Sequence, residues 1–489
     1  MPLLFNFNLF YIPYIKCPGT LYTEQRERER EWSRRTKHFK DRALTNRFYQ
    51  LDMYIPSMQY SGVILLSSYL YIYNLRVSSE RERERKKIME LGSILFLFRI
   101  LLELPIRIVW CYFSISLRVS YRRARDIGLL KRIFMREAFS LGEVSICKDV
   151  INPIFNALNY CILGKALSIV GYRLTKRDHE FLRERFPEWK SGINESVITR
   201  FWWYKRPKGF DPEIDPVLVV THGGGYAIEF LPLNLVFLRR VSLSCPRMAI
   251  VIQSYTVTAT SKSRCAAPLL QILETAALYK ILARDYSCKN IVAMGDSAGA
   301  NVLLGTLQYL ELTGRRVSLP RRIVLISPWC NPTCFPKGEI ASAKKFELLD
   351  CLSFEGLKKF SQLIRLGANA ERLDKASLLN VERNYDERVW AGVLSRSRIL
   401  IWAGSEEILQ EQIKSFVHKL VATSRLSQDT NGNVIYSFGR RCGHIEPLLL
   451  FNPMSHSNWT QHPAIRPVLE FLHEESSTMG LEGRRRGPC

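Results

Sequence analysis

The sequence lacks the cysteine spacings that hold metals or exchange disulfides. Its 12 cysteines are scattered over 489 residues without a single Cys-x-x-Cys pair, and the closest two are Cys330 and Cys334. The common zinc sites and dithiol redox centres are marked by paired cysteines two residues apart. We therefore expect no metal and no redox cofactor, and chemistry that is carried by side chains alone.

Acidic residues are scarce relative to basic ones. Lys and Arg number 70 against 46 Asp and Glu, a formal net charge of +24 at pH 7, and half of this excess precedes residue 141. Such a balance can mark a nucleic-acid-binding protein. No zinc-finger spacing, RNP-like aromatic motif or helix-turn-helix pattern accompanies it, so we expect no nucleic-acid partner. A membrane surface or a solvated tail accounts better for the charge.

A clean hydrophobic run of about 20 residues, the length that crosses a bilayer, is missing as well. The best candidate, residues 91–119, carries Arg99, Glu103 and Arg107. These charges are four residues apart, so on a helix they share one face, where Glu103 can pair with both arginines. Such a helix can span with a polar stripe, lie in the interface or pack on the protein. We favour anchoring, and predict a membrane-anchor segment at 89–120.

Basic residues follow this segment closely, and positive charge beside a span favours the cytoplasmic side. The flank therefore favours a cytoplasmic position for the rest of the chain. Its members are Arg118, Arg122, Arg123, Arg125, Lys131 and Arg132.

The two ends of the chain show no pattern of a folded domain. Arg/Glu alternation at 25–31 and 80–85 places like charges at i and i+4, where they repel each other on a helix. We predict a low-complexity, disordered extension at 1–88. The repeated dipeptide also fits a wrongly assigned start, with Met89 as the native first residue. Residues 476–489 are predicted to be a solvated basic tail.

The strongest functional signal is Gly295-Asp296-Ser297-Ala298-Gly299, which lies between an apolar strand-like run and a helix-forming stretch. A serine on a tight strand-to-helix turn is lifted clear of the sheet, where a base and a substrate can both reach it. The unpaired N–H groups of the following helix point to where negative charge develops during acyl transfer. We therefore predict that Ser297 is a nucleophile.

A second glycine-rich motif, His222-Gly223-Gly224-Gly225-Tyr226, follows the strand-like run 217–220. Consecutive glycines let backbone N–H groups turn toward a ligand without side chains in the way, as an oxyanion hole requires. We assign Gly223, Gly224 and Ala298 as its donors. His222 is expected to brace the loop, because the base in this order of motifs should lie nearer the C-terminus.

An acid and then a histidine should follow such a serine along the chain. Strand-like residues 398–404 lead into Glu406 and Glu407, and strand-like residues 433–438 lead into the loop of His444. The carboxyl ends of these strands face the same edge of a parallel sheet as the serine. We predict that His444 is the base, with one of the two glutamates as its partner.

Strand-like and helix-like segments alternate from residue 216 onward, which indicates a mostly parallel sheet with helices on both faces. With these motifs, residues 216–475 resemble the hormone-sensitive-lipase branch of the α/β-hydrolases, the α/β-hydrolase-3 group. The resemblance implies an α/β-hydrolase fold with a small helical cap, a catalytic core at 216–475, and an N-terminal cap and first-hairpin region at 121–215. It also favours Glu407 over Glu406, because relatives show an acidic-x-Leu-x-acidic pattern after this strand.

Within that branch the chain is most similar to membrane-anchored steryl acetyl hydrolases, on its His-Gly-Gly-Gly-Tyr-Ala-Ile-Glu, Gly-Asp-Ser-Ala-Gly-Ala-Asn and Ser-Pro-Trp motifs. This resemblance implies a serine carboxylic-ester hydrolase for short acyl esters of lipophilic alcohols, such as steryl acetates, at the endoplasmic reticulum membrane. It implies a luminal catalytic domain, whereas the basic flank favours the cytoplasm, so the orientation stays open. Tyr226 and Trp329 are candidate apolar walls of the pocket, or core residues.

Two other functions fit the same residues. Residues 255–265 replace the longer, proline-containing loop of the relatives, and members of this fold that lose the histidine act as small-molecule receptors. A non-catalytic binding protein is therefore one alternative, against which His444 argues. An amidase, which would use the same triad, is the other. Hydrolysis by this triad requires neither a metal nor an organic cofactor.

Overall fold

The computed structural model describes residues 132–133, 136, 151–163, 167–185, 196–258, 268–315, 319–334, 340, 344–366, 378–426, 433–450 and 454–473. The predicted extension at 1–88, the membrane segment at 89–120 and the tail at 476–489 lie outside these residues. Within the described ranges, no helix has the length and apolar character needed to cross a membrane.

An eight-stranded sheet forms the centre of the molecule, in the order β1-β2-β4-β3-β5-β6-β7-β8. The strands are β1 (Ser168–Arg173), β2 (Ser196–Lys205), β3 (Val217–Thr221), β4 (Ala249–Gln253), β5 (Ile291–Asp296), β6 (Arg322–Ile326), β7 (Arg398–Gly404) and β8 (Val434–Gly439). β2 pairs antiparallel with both β1 and β4, and every other neighbouring pair is parallel. The predicted α/β-hydrolase fold with a mostly parallel sheet is confirmed.

Helices cover both faces of this sheet. They are α1 (Asn152–Leu163), α2 (Lys176–Arg185), α3 (Asn234–Ser244), α4 (Pro268–Asp285), α5 (Ser297–Leu312), α6 (Phe354–Leu366), α7 (Glu387–Leu394), α8 (Gln410–Leu426), α9 (Glu446–Leu449) and α10 (His456–Thr460). A further helix occupies 466–473. Alternate residues of one strand enter different cores, because successive side chains of a strand point to opposite faces. Val217 and Val219 pack with α4, α5, α7 and α8, whereas Leu218 and Val220 pack with α3, α10 and 466–473.

The burial of the strands follows from their position in the sheet. Every residue of β3 to β6 is buried, as expected for parallel strands that are covered on both faces. β1 instead alternates between half-buried and exposed residues, because it lies at the edge of the sheet. The antiparallel pair of β1 and β2 lies inside residues 121–215, where the sequence leads us to expect the first hairpin.

Candidate active site

Ser297 lies on a strained turn between a strand and a helix. β5 ends at Asp296 and α5 begins at Ser297, whose φ of 51° is in the left-handed region. A non-glycine residue seldom adopts this conformation, and it persists where the surrounding structure enforces it, often at active sites. Position 299 has no room for a side chain, because an added Cβ would lie 2.2 Å from the carbonyl oxygen of Thr221. Glycine is the residue that fits there. Residues 295–299 therefore form the tight strand-to-helix turn that their glycines predict.

The glycine-rich loop crosses in front of this turn, with a left-handed φ at Gly224 (105°) and at Gly225 (60°). The N–H group of Gly223 donates to Oδ1 of Asp296 at 3.0 Å, so it is not available to an oxyanion in this structure. The sequence could not reveal this, because the carboxylate lies 73 residues further along the chain.

His222 packs against the glycine-rich loop and against Tyr255. Its Nδ1 lies 2.7 Å from the carbonyl oxygen of Gly223, and its ring stacks on Tyr255 with centroids 4.2 Å apart. The hydroxyl of Tyr255 donates to the carbonyl oxygen of His222 at 2.8 Å. Burial lowers the pKa of His222 to about 4, so its ring is neutral at pH 7. These contacts agree with a structural role for this histidine.

Glu407 lies fully buried after the end of β7. Its Oε2 accepts hydrogen bonds from Ser327 Oγ at 2.6 Å and from the Gly404 N–H at 3.2 Å. Burial and the neighbouring carboxylate of Asp350 raise the pKa of Glu407 well above its usual range. The same oxygen lies 3.8 Å from Nδ1 of His444, whereas Glu406 pairs with Arg132.

His444 is 1 % exposed, and among the described residues neither ring nitrogen has a hydrogen-bond partner. No hydrogen bond therefore joins His444 to Ser297, and the 3.8 Å separation from Glu407 exceeds hydrogen-bond distance. Burial lowers the pKa of His444 to about 3, so its ring is neutral at pH 7.

Two residues that the sequence did not single out as functional connect the loops of the acid and the histidine. Ser327 has a left-handed φ of 48°, and its Oγ accepts the N–H of Ile445 at 3.0 Å while it donates to Glu407. Asp350 accepts the N–H groups of His444 at 2.9 Å and of Ile408 at 2.7 Å. The Ser-Pro-Trp motif that contains Ser327 could have drawn attention to this residue, but no local sequence pattern marks Asp350.

The two residues expected to line the pocket lie in the core. Tyr226 is 0 % exposed and its hydroxyl donates to Oδ1 of Asn301 at 2.5 Å. Trp329 is 1 % exposed, and its backbone N–H donates to the carbonyl oxygen of Ser297 at 3.1 Å. Both belong to the larger core cluster. Their burial favours the packing alternative over a role as pocket walls.

A smaller apolar cluster lies beside the glycine-rich loop. Ala227 and Ile228 of the loop pack with Leu363 and Phe360 of α6 and with Phe155 of α1. A Cβ added at Gly225 would lie 2.5 Å from the ring of Phe360, so this ring covers the loop. α1 and α6 thus act as a small helical cap on the glycine-rich loop.

The described residues show no sign of a metal or redox centre. All seven described cysteines are free thiols, and no cluster of three or more potential ligands occurs among the described residues.

The chain resembles a protein family, a characterised yeast protein and several solved structures. A family model for steryl acetyl hydrolases matches residues 94–471. Steryl acetyl hydrolase 1 of Saccharomyces cerevisiae is 32% identical over 363 residues, which cover 73% of this chain and 84% of that protein. Among solved structures, carboxyl esterase 2 of Tuber melanosporum is 15% identical, covers 63% of this chain and 85% of its own, and has a TM-score of 0.44. A fungal esterase of Rhizomucor miehei is 16% identical, covers 69% and 92%, and has a TM-score of 0.47.

The family match spans most of the chain and includes Ser297, Glu407 and His444. Because of this match, and of the similarity to the yeast protein over most of both chains, the protein belongs to the steryl acetyl hydrolase family and is a carboxylic ester hydrolase.

Proposed function

We propose that this hydrolase cleaves short acyl esters of lipophilic alcohols, with Ser297 as nucleophile, His444 as base and Glu407 as the acid that supports it. The observation that carries the proposal is the left-handed Ser297 at the end of β5, beside a glycine-rich loop whose N–H groups can face a substrate. Membership of a hydrolase family disfavours the alternative of a non-catalytic binding protein.

The reaction begins when Oγ of Ser297 attacks the ester carbonyl and His444 takes its proton. The proton makes His444 cationic inside a buried site, where Oε2 of Glu407 lies 3.8 Å from its Nδ1. A positive charge on His444 favours the ionised form of Glu407 and so opposes the rise in its pKa that burial causes. The two opposite charges then attract each other, and the pair contracts to a hydrogen bond. His444 then returns the proton to the departing alcohol. Water, activated in the same way, releases the acyl group from Ser297 as a carboxylic acid.

Negative charge on the carbonyl oxygen needs N–H donors that are not already engaged. The donation from Gly223 to Asp296 leaves Gly224 and Gly225 as the N–H groups of the loop that can serve. The N–H of Ala298, in the first turn of α5, has no acceptor within its own helix. We therefore assign Gly224, Gly225 and Ala298 to the oxyanion hole, which moves the assignment by one residue along the loop.

The alcohol portion of the substrate would contact the cap. Phe360 and Phe155 are half-buried beside the glycine-rich loop, which provides an apolar wall next to the oxyanion donors. Asn152 fixes α1 against the same loop, since it donates to the carbonyl oxygen of Ala227 at 2.8 Å and accepts the N–H of Glu229 at 3.0 Å. A bulky lipophilic alcohol suits this wall, and steryl acetates follow from the name of the yeast relative.

Association with the endoplasmic reticulum membrane is part of the same proposal. Residues 91–119 would anchor the chain, and substrates dissolved in the bilayer would then reach the cap by lateral diffusion.

The catalytic assignment is tested by Ser297→Ala in the full-length protein. We expect hydrolysis of a short p-nitrophenyl ester to fall by about a millionfold, the loss seen when such a nucleophile is removed. A fluorophosphonate probe should label the wild-type protein at Ser297 and leave the variant unlabelled, because the probe reacts with activated serines. Turnover by the variant close to that of the wild type would remove Ser297 from the mechanism.

The substrate assignment is tested with microsomes and cytosol from cells that express the full chain. Radiolabelled steryl acetate should be hydrolysed by the microsomal fraction, and microsomes carrying Ser297→Ala provide the matched control. Activity confined to the cytosol would contradict the membrane association. Hydrolysis of water-soluble acetates without hydrolysis of the sterol ester would contradict the substrate class.

A further inference from the structure

Arg132 lies inside the protein although the sequence places it in the basic flank of the membrane segment. The residue is helical and only 3 % exposed, and its neighbour Ile133 is 0 % exposed. One turn later on the same side, Nη1 of Arg136 donates to the carbonyl oxygen of Glu347 at 2.6 Å. The guanidinium of Arg132 is therefore buried within the protein, although the residue belongs by sequence to the basic flank.

The guanidinium connects the loop of the catalytic acid with the loop of the catalytic histidine. Nη1 donates to Oε2 of Glu446 at 2.9 Å and to the carbonyl oxygen of Arg441 at 3.1 Å, on either side of His444 in sequence. Nη2 lies 3.6 Å from Oε2 of Glu406, the residue before Glu407. A single cation thus contacts both loops.

The alkyl portion of Arg132 also contacts the histidine loop. A Cβ added at Gly443 would lie 2.5 Å from Cδ of Arg132, so the side chain packs directly on the residue before His444. The N–H of Gly443 donates to the same Glu446 oxygen that the guanidinium binds, at 3.3 Å. The histidine loop is therefore held by one shared carboxylate and by direct packing.

Stability alone does not explain why this cation and two carboxylates are buried together. Glu406 and Glu446 are 6 % and 7 % exposed, and burying three charges usually gains little stability over well-packed apolar side chains. An arginine has the planar fork that can bind partners on two loops at once, which an apolar residue cannot do. The contacts differ from those of Asp350, which binds both loops through backbone N–H groups.

We propose that Arg132 is a positioning residue that holds the loops of Glu407 and His444 in the geometry for proton transfer. The helix that follows the hydrophobic segment is accordingly part of the hydrolytic machinery. This inference rests on the proposed roles of Glu407 and His444.

The test compares Arg132→Met and Arg132→Lys with the wild type, in the full-length protein. Labelling with a fluorophosphonate probe measures the concentration of active sites, so that kcat refers to folded enzyme. We expect kcat of Arg132→Met to fall about a hundredfold, the scale for reacting groups displaced by 1 Å, with a much smaller change in KM. Arg132→Lys should recover part of the loss, because it keeps the charge without the fork.

The pH profile separates positioning from a general structural role. In Arg132→Met, Glu406 and Glu446 lose the cation that they contact, and Asp350 loses a favourable charge nearby. With Glu407 also beside the imidazole, the more negative surroundings favour protonated His444. The acid limb of kcat/KM should then move to higher pH in Arg132→Met and move less in Arg132→Lys. A loss of folded protein alone lowers the number of active sites and leaves this limb in place.

Arg466→Met is the matched control, because Arg466 is an exposed arginine whose Nε pairs with Glu470 at 2.6 Å within one helix. It should behave as the wild type. If Arg132→Met does not fold, Arg132→Lys decides, with an expected loss in kcat of about tenfold. An unchanged kcat per labelled site together with an unchanged acid limb overturns the inference while the proposed function stands. A wild-type protein that neither hydrolyses esters nor reacts with the probe overturns both.

Discussion

At the scale of single residues, Glu406 and Glu407 are adjacent in sequence but have different environments. Glu407 is 0 % exposed, accepts a hydrogen bond from Ser327 and lies beside His444. Glu406 points to the guanidinium of Arg132. Both residues matter to the proposed mechanism, but only Glu407 is close enough to the imidazole to stabilise a proton on it.

Glu407→Gln and Glu406→Gln should therefore have very different effects. In Glu407→Gln a neutral amide replaces the carboxylate and cannot stabilise the imidazolium, so we expect kcat for a short ester to fall by about 10³–10⁴-fold. Glu406→Gln should lower kcat by less than about tenfold, because the contact of Arg132 with Glu446 persists. Steady-state kinetics on both variants, with active sites counted by the probe, provides the measurement. The reverse order of losses would assign the acid to Glu406.

At the scale of elements, the proposed active site depends on how closely α5 approaches the end of β3. Gly299 in the first turn of this helix lies against the backbone of Thr221 and His222, where an added Cβ would come within 2.2 and 2.3 Å of two carbonyl oxygens. Backbone atoms at the end of a central strand cannot move away without disturbing the neighbouring strands. This contact holds the turn of Ser297 next to the glycine-rich loop.

Gly299→Ala should consequently destabilise the protein by about 3 kcal/mol, at the upper end of the cost of overpacking a core. Gly171→Ala in β1 is the control, because nothing lies within 4 Å of its added Cβ. That substitution should change the free energy of unfolding by less than about 1 kcal/mol. Denaturant unfolding of the full-length proteins measures both values. Equal unfolding midpoints for the two variants would show that the close contact at Gly299 has no energetic consequence.

At the scale of the whole molecule, buried histidines and buried carboxyls have opposite effects on how the free energy of unfolding depends on pH. Burial lowers the pKa of His222 to about 4 and of His444 to about 3, so their contribution to stability grows as the pH rises from about 3 to about 6.5. Burial raises the pKa of Glu274 and Asp296 to about 7 and of Asp350 to about 6. These carboxyls stabilise the folded state at low pH, and their contribution is lost as the pH rises through those values.

Glu274→Gln removes one of the opposing carboxyls and should make the protein more sensitive to acid. Glu274 accepts the N–H of Thr256 at 2.6 Å, and the amide oxygen of a glutamine can do the same. The wild-type carboxyl loses stabilising free energy between about pH 4.5 and about pH 7, so its removal makes stability rise more steeply across this range, by about 2–3 kcal/mol. Unfolding by denaturant at both pH values measures the change. Parallel pH dependences in the wild type and the variant would show that Glu274 ionises normally.

The sequence by itself determined the features that depend on local order. Residues 217–221, 249–253, 291–296, 322–326 and 398–404 are apolar enough to predict central strands, and the helices that alternate with them predict a parallel sheet. The glycines on either side of Ser297 predict its turn, because the conformation of such a turn depends on a few neighbouring residues. The order of Ser297, Glu407 and His444 followed from the strands 291–296, 398–404 and 434–439, since each residue stands beyond the carboxyl end of one of them.

Only the tertiary structure decided which groups meet across long distances in sequence. The N–H of Gly223 is engaged by a carboxylate 73 residues away, and Arg132 contacts a glutamate 314 residues away. Tyr226 lies in the core because Asn301 is there to accept its hydroxyl, and Asp350 reaches the histidine loop from the segment before α6. Such contacts depend on how the elements pack, which residue periodicity does not specify. An arginine of a basic flank and an arginine buried between two loops therefore look the same in the sequence.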